Sequence, residues 1–205
     1  MVAIPLFPLV GWLALITSDP QLPAGEDPVR WQRRVLIADY YCDGVTVGDI
    51  NRDGKPDVIA GPFWFAGPDF KARHAFYPAK PFERAASPTD SMFSYVHDFN
   101  GDGWPDILVL GRVHLHAANW YENPGKGGAN AVPWKKHFAF ERVKGESPPF
   151  TDVDGDGKLE LVAHWNGRWG CIRPDWKKPT NLGASHQSPR PGSTISSTTA
   201  PESAT

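Results

Sequence analysis

Cysteine is scarce in this chain. The two among 205 residues, Cys42 and Cys171, lie far apart, without CxxC spacing and without histidine neighbours. That excludes a thiolate zinc site; a disulfide is permitted but not implied, and small buried apolar residues are the plainer reading. Runs of like charge are also missing. With a formal net charge of -2 and no stretch of Lys or Arg, the chain lacks the electrostatic footprint of a nucleic-acid or acidic-membrane binder. Nor is there a long hydrophobic run. The apolar stretch Val2 to Ile16 is too short for a membrane span and is interrupted by Pro5 and Pro8; it reads as the core of an export signal, although a basic leading region and a small-x-small cleavage site are absent, and its rival is a buried strand. Sustained helical periodicity is missing, as are a nucleophile elbow, a phosphate-binding glycine loop and an HExxH motif.

Glycine, proline and tryptophan are plentiful, at 20, 21 and 9 residues. They describe many short, punctuated segments with bulky aromatics, and so an all-β fold. An internal repeat organises these segments: DINRDGKPD from Asp49, DFNGDGWPD from Asp98 and DVDGDGKLE from Asp152. A period near 50 residues is that of a β-propeller blade. Each copy is followed by an apolar run, Val58 to Ala60, Ile107 to Leu110 and Leu161 to Ala163, that reads as a strand. Aromatic segments recur around the loops as well: WQRRV at Trp31, FERAA at Phe82 and WKKHF at Trp134 before them, GPFWFAGP, ANWYENPG and HWNGRWG after them. The reading is about three blades of short strands, an incomplete propeller, spanning residues 28–178. Residues 1–27 form the export segment and linker. WKKP at Trp176 looks like the opening of another unit, but no acidic loop follows; from Pro179 to Thr205 the Ser/Thr/Pro-rich composition cannot bury a core and reads as a disordered tail.

The acidic loops have the chemistry of a calcium site. In DxNxDGxxD, side-chain oxygens stand at positions one, three, five and nine, and the glycine at six allows the backbone to turn sharply around an ion. The candidate ligands are Asp49, Asn51, Asp53 and Asp57; Asp98, Asn100, Asp102 and Asp106; and Asp152, Asp154, Asp156 and Glu160, with backbone carbonyls of Lys55, Trp104 and Lys158 at position seven. Ten of the 23 acidic residues fall in these three windows; without a cation they would repel one another. Soft metals are disfavoured because the loops offer neither thiolate nor imidazole, and magnesium prefers to keep its water. An EF-hand is excluded because position twelve is Ala60, Val109 or Ala163, inside a strand-like run. Asp, Asn and Gly are ordinary hairpin residues too, but three copies in register argue for more than turns.

These loops, with WYENPG and WKKHF, resemble the FG-GAP and VCBS-type repeat family over about Trp31 to Trp176. The resemblance implies a calcium-stabilised propeller used for adhesion, ligand display or carbohydrate contact. The FG and GAP dipeptides themselves are replaced by forms such as AGP at Ala60, and three blades do not easily close a ring, so self-association or a larger parent propeller is an open alternative. The leading expectation is a secreted, periplasmic or surface module, non-catalytic, binding a protein or glycan. Trp64, Trp120, Tyr121, Trp165 and Trp169 are candidate sugar platforms, with blade-core packing as their plainer role. The rival is a metal-dependent carbohydrate-active lyase or dehydratase, for which His114 and His116, two apart on one strand face, with His97 and His164 nearby, are the candidate zinc ligands. Ordinary hydrogen-bonded histidines are the plainer reading of all four.

Overall fold

The computed structural model describes residues 30–84, 88–111, 117–140, 143, 147–165 and 168–173, with the side chains of 165–169 set aside. The export segment, the Ser/Thr/Pro tail, Trp176 and the pair His114 and His116 all lie outside the described residues. Two units divide the chain, Met1–Arg34 and Val35–Thr205. In the first, residues 30–34 carry no regular structure, and Trp31 is 92% exposed.

The second unit is all-β among its described residues. Eleven strands form three antiparallel sheets. Sheet one comprises β1 (Val45–Gly48), β2 (Asp57–Ala60), β3 (Phe63–Phe65) and β4 (Arg73–Ala75); sheet two comprises β5 (Phe93–His97), β6 (Asp106–Leu110), β7 (Ala118–Glu122) and β8 (Lys135–Phe140). Sheet three comprises β9 (Phe150–Thr151), β10 (Glu160–Trp165) and β11 (Arg168–Ile172). In every sheet the strands pair in chain order, and these blade-like sheets fit a partial propeller. The three apolar runs read from the sequence are β2, β6 and β10, and each acidic loop is the hairpin that enters one of them.

The sheets stack because the middle strands are apolar on both faces, and side chains alternate along a strand. All five residues of β6 are buried. Ile107 and Val109 face Ile50, Ile59, Trp64 and Phe76 of the first sheet region, whereas Leu108 and Leu110 face Leu161 and Ala163 of the third. Sequence alternation therefore sends one strand's side chains into two cores. Trp134, immediately before β8, packs into the first of these cores, donates its indole N–H to the Ala129 carbonyl at 3.1 Å, and through its backbone N–H bonds the Phe76 carbonyl at 2.8 Å. On the far side of sheet one, Leu36, Ile37, Tyr41 and Cys42 pack against Ala60, Phe63 and Phe65.

Close approach between sheets one and two depends on a glycine. A Cβ on Gly48 of β1 would lie 2.6 Å from the Val96 Cγ1 of β5, a separation that real side chains do not show. Any larger residue there must push the sheets apart. Both cysteines are free thiols and half-buried, so the permitted disulfide is not formed. The candidate sugar platforms Trp64, Trp120 and Tyr121 are buried, which corrects that reading: their rings fill the inter-sheet cores and present no face to a ligand. Trp165 and Trp169 have side chains outside the described residues.

Candidate cation-binding loops

Each acidic loop joins the first and second strands of its sheet: β1 to β2, β5 to β6, and β9 to β10. A hairpin of eight residues cannot hold its own amides in a ladder, so side chains must take them. Asp at position one does most of this. In loop two, Asp98 Oδ1 accepts the amides of Gly101 and Asp102 at 2.7 and 3.1 Å, and Oδ2 accepts that of Gly103 at 2.8 Å. Loop one repeats the scheme with Asp49 receiving Asp53 and Gly54, both at 3.0 Å. Loop three repeats it with Asp152 receiving Gly155, Asp156 and Gly157. The position-six glycines have φ of +81°, +88° and +84° (Gly54, Gly103, Gly157), the left-handed region that favours glycine.

Positions three and five join the same cluster. Asn51 accepts the Asp53 amide at 3.0 Å and donates to Asp53 Oδ2 at 3.2 Å; Asn100 does both for Asp102 at 2.9 and 3.0 Å. Position five then caps position seven, with Asp53, Asp102 and Asp156 accepting the amides of Lys55, Trp104 and Lys158 at 2.9, 2.8 and 3.0 Å. In loop three the oxygens of Asp152, Asp154 and Asp156 all lie within 4.8 Å of one another. Arg52 is at position four of loop one with φ of +57°, and its guanidinium lies over the Trp104 ring of loop two at 5.5 Å. That cation–π contact holds neighbouring loops together.

Position nine differs from the other three. Asp57, Asp106 and Glu160 are all fully or almost fully buried, and each receives the position-two amide, from Ile50 at 2.8 Å, Phe99 at 2.9 Å and Val153 at 2.9 Å. The second oxygen is taken by the chain that follows the third strand: Gly67 N–H to Asp57 at 2.9 Å, and Asn123 N–H to Asp106 at 2.8 Å. Position nine thus ties the loop base to the neighbouring strand. Burial pushes the Asp106 carboxyl up to about 7, against the pull of its amide bonds to Asn123 and Phe99. Asp57 is raised for the same reason, with Gly67 and Ile50 opposing.

The donor set fits a hard divalent cation. In loop three, carboxylate oxygens from three positions lie within 4.8 Å of one another, and none of the three loops offers sulfur or imidazole. Glu160 Oε1 is buried without a hydrogen-bond partner, although an arginine approaches it. Calcium, if bound, would be held by positions one, three and five, with position nine and the position-seven carbonyl as the remaining candidates.

Asn123 had no role in the sequence reading. Its side chain is buried and fully used: Nδ2 donates to the Ile50 carbonyl at 2.9 Å and the Pro105 carbonyl at 3.0 Å, and Oδ1 accepts the Gly125 amide at 3.1 Å. It binds the base of loop one to the base of loop two. The tetrapeptide ENPG was the available signal, since Asn before Pro-Gly is turn chemistry. A second feature is a repeated stack across the third and fourth strands, Trp64 on His74 at 4.3 Å and Trp120 on His137 at 4.1 Å. Of the rival enzyme's histidines, His97 is half-buried and packs against Phe99 and Phe150, while His164 lies on β10. Among the described residues no group of three metal-ligating side chains includes either.

Residues 98–163, from the first Asp of loop two to β10, match the family model of the FG-GAP-like repeat. No curated protein and no solved structure matches the chain.

Proposed function

We infer that this chain is a calcium-stiffened display module: a secreted or surface-exposed partial propeller, non-catalytic, whose loops present a face to a protein or glycan ligand. One observation supports it above the rest. Three hairpins in equivalent positions of three sheets repeat the same acidic pattern above a buried position-nine carboxylate, and in the third the oxygens of positions one, three and five lie within 4.8 Å of one another.

Calcium would supply charge neutralisation and would lock each hairpin to the strand it enters; no bond-making step is asked of it. Millimolar extracellular calcium is the concentration range in which such oxygen loops fill. The similarity of residues 98–163 to the FG-GAP-like repeat supports the same reading.

The test is thermal unfolding of the full chain in chelator and in millimolar calcium. A ligand that binds only the folded state contributes about 1.4 kcal/mol at 10 times its Kd. For a body of this size that is a rise of roughly 3–6 °C for each loop filled. An unchanged transition would remove the cation from the function. Asp98→Ala, which takes position one from loop two, is expected to lose part of the rise.

A further inference from the structure

Loop three differs from the other two in having a carboxylate, Asp154, where they have Asn51 and Asn100. It also differs in what stands beside it. In the strand register, Leu161 pairs with Ile172, Ile107 with Tyr121 and Val58 with Phe65. The residues that follow these partners in the chain are Arg173, Glu122 and Ala66, and Arg173 reaches the Glu160 carboxylate across the pair. Only the third of these positions holds a cation.

That arginine spreads its three nitrogen groups over three acids of the loop. Nη2 contacts Asp154 Oδ2, Nη1 lies 3.7 Å from Asp156 Oδ2, and Nε lies 3.3 Å from Glu160 Oε1. Glu160 is 1% exposed, and Oε1 is the atom left without a hydrogen bond. Among the described residues no ion pair reaches the acids of loops one and two. The additional carboxylate and the paired arginine therefore occur together: loop three has four acids with a guanidinium on three of them, whereas loops one and two have three acids each and the Arg52 guanidinium of loop one lies over the Trp104 ring instead.

We propose that Arg173 is the built-in counter-cation of loop three, occupying the oxygens of Asp154, Asp156 and Glu160 that a divalent ion would need, so that loop three is the weakest of the three calcium sites. The inference rests on the cation reading of the loops. Physically, a guanidinium and a divalent ion cannot both claim the same oxygens, and their like charges at contact distance oppose each other. The apparent affinity of loop three is then reduced by the fraction of molecules in which the arginine is in place. In calcium-poor surroundings the arginine holds the hairpin closed; in calcium-rich surroundings the ion displaces it. The module would thus have two loops set by modest calcium and a third that reports a higher concentration.

Calcium titration calorimetry on the chelator-treated full chain, parent against Arg173→Gln, tests this. The expected result is about a tenfold gain in affinity for one site, together with a lower unfolding temperature in chelator. Adding Asp152→Ala to Arg173→Gln should abolish the gain, which assigns it to loop three. If Arg173→Gln does not fold, Arg173→Lys keeps a charge without the planar fork and should show a smaller gain in the same direction. Three sites of unchanged affinity in the variants would overturn the competition while leaving the cation reading intact. No calcium heat in parent or variant would overturn the cation reading itself, and the competition with it.

Discussion

Asn123→Ala is the perturbation whose cost is most directly set by the geometry. The substitution leaves the backbone amide on Asp106 but removes the side chain from three bonds, to Ile50, Pro105 and Gly125 at 2.9–3.1 Å. Stranding the buried Gly125 amide costs about 1–3 kcal/mol, and each carbonyl that loses a donor costs about 0.5–1.5 kcal/mol. The sum is about 2–6 kcal/mol, a large fraction of the ~5–15 kcal/mol that holds a domain folded. No charge is removed, so nothing offsets that loss. The control is Asn119→Ala, where a half-buried amide makes one bond, to the Ala117 carbonyl at 3.1 Å, and where about 1 kcal/mol is expected. Urea unfolding of the full chain in chelator, followed by tryptophan fluorescence, measures both. Asn123→Asp should be worse than alanine at pH 7, because it turns a carboxylate oxygen toward two carbonyls and sits beside Asp106. An Asn123→Ala cost no larger than that of the control would refute the clamp.

Two further outcomes are expected. His74, stacked on Trp64, has its pKa lowered by burial, with the Asp57 charge pulling the other way. The unfolded chain therefore binds that proton more readily, so His74 contributes stability above about pH 6.5 that is lost as pH falls through its lower folded value. Asp106, raised to about 7, acts oppositely, its contribution being lost as pH rises toward that value, so the informative comparison is with a variant: His74→Phe should reduce the loss of stability between pH 7 and pH 5, and an identical slope would contradict it. Gly48→Ala should destabilise by about 1–3 kcal/mol through overlap with Val96. Val96→Ala in the same chain should recover part of that, measured as the urea midpoint of the double variant; additive losses would show that the contact between β1 and β5 is not the cause.

The position of every acidic loop, the strand after each and the aromatic strand beyond it were legible in the sequence because they are local. Short continuous apolar runs and DxNxDG turns are set by the residues that carry them. The roles inside each loop divided only in the fold. Asp57 and Asp98 look alike as letters, but position nine enters the buried strand and ties it to the chain beyond the third strand, while position one takes the amides of the turn itself. Trp64, Trp120 and Tyr121 could not be assigned from sequence for the same reason. An aromatic on a strand faces either a neighbouring sheet or solvent, and only the stacking of three sheets decides which. Asn123 and Arg173 were invisible because their partners are not neighbours in sequence: Ile50 lies 73 residues from Asn123, and Asp154 lies 19 from Arg173. The sequence by itself determined an all-β chain with three oxygen-rich hairpins. Tertiary structure decided which carboxylate is buried beneath each hairpin and which one of the three loops has an arginine paired with its acids, because those depend on contacts between segments that the sequence lists far apart.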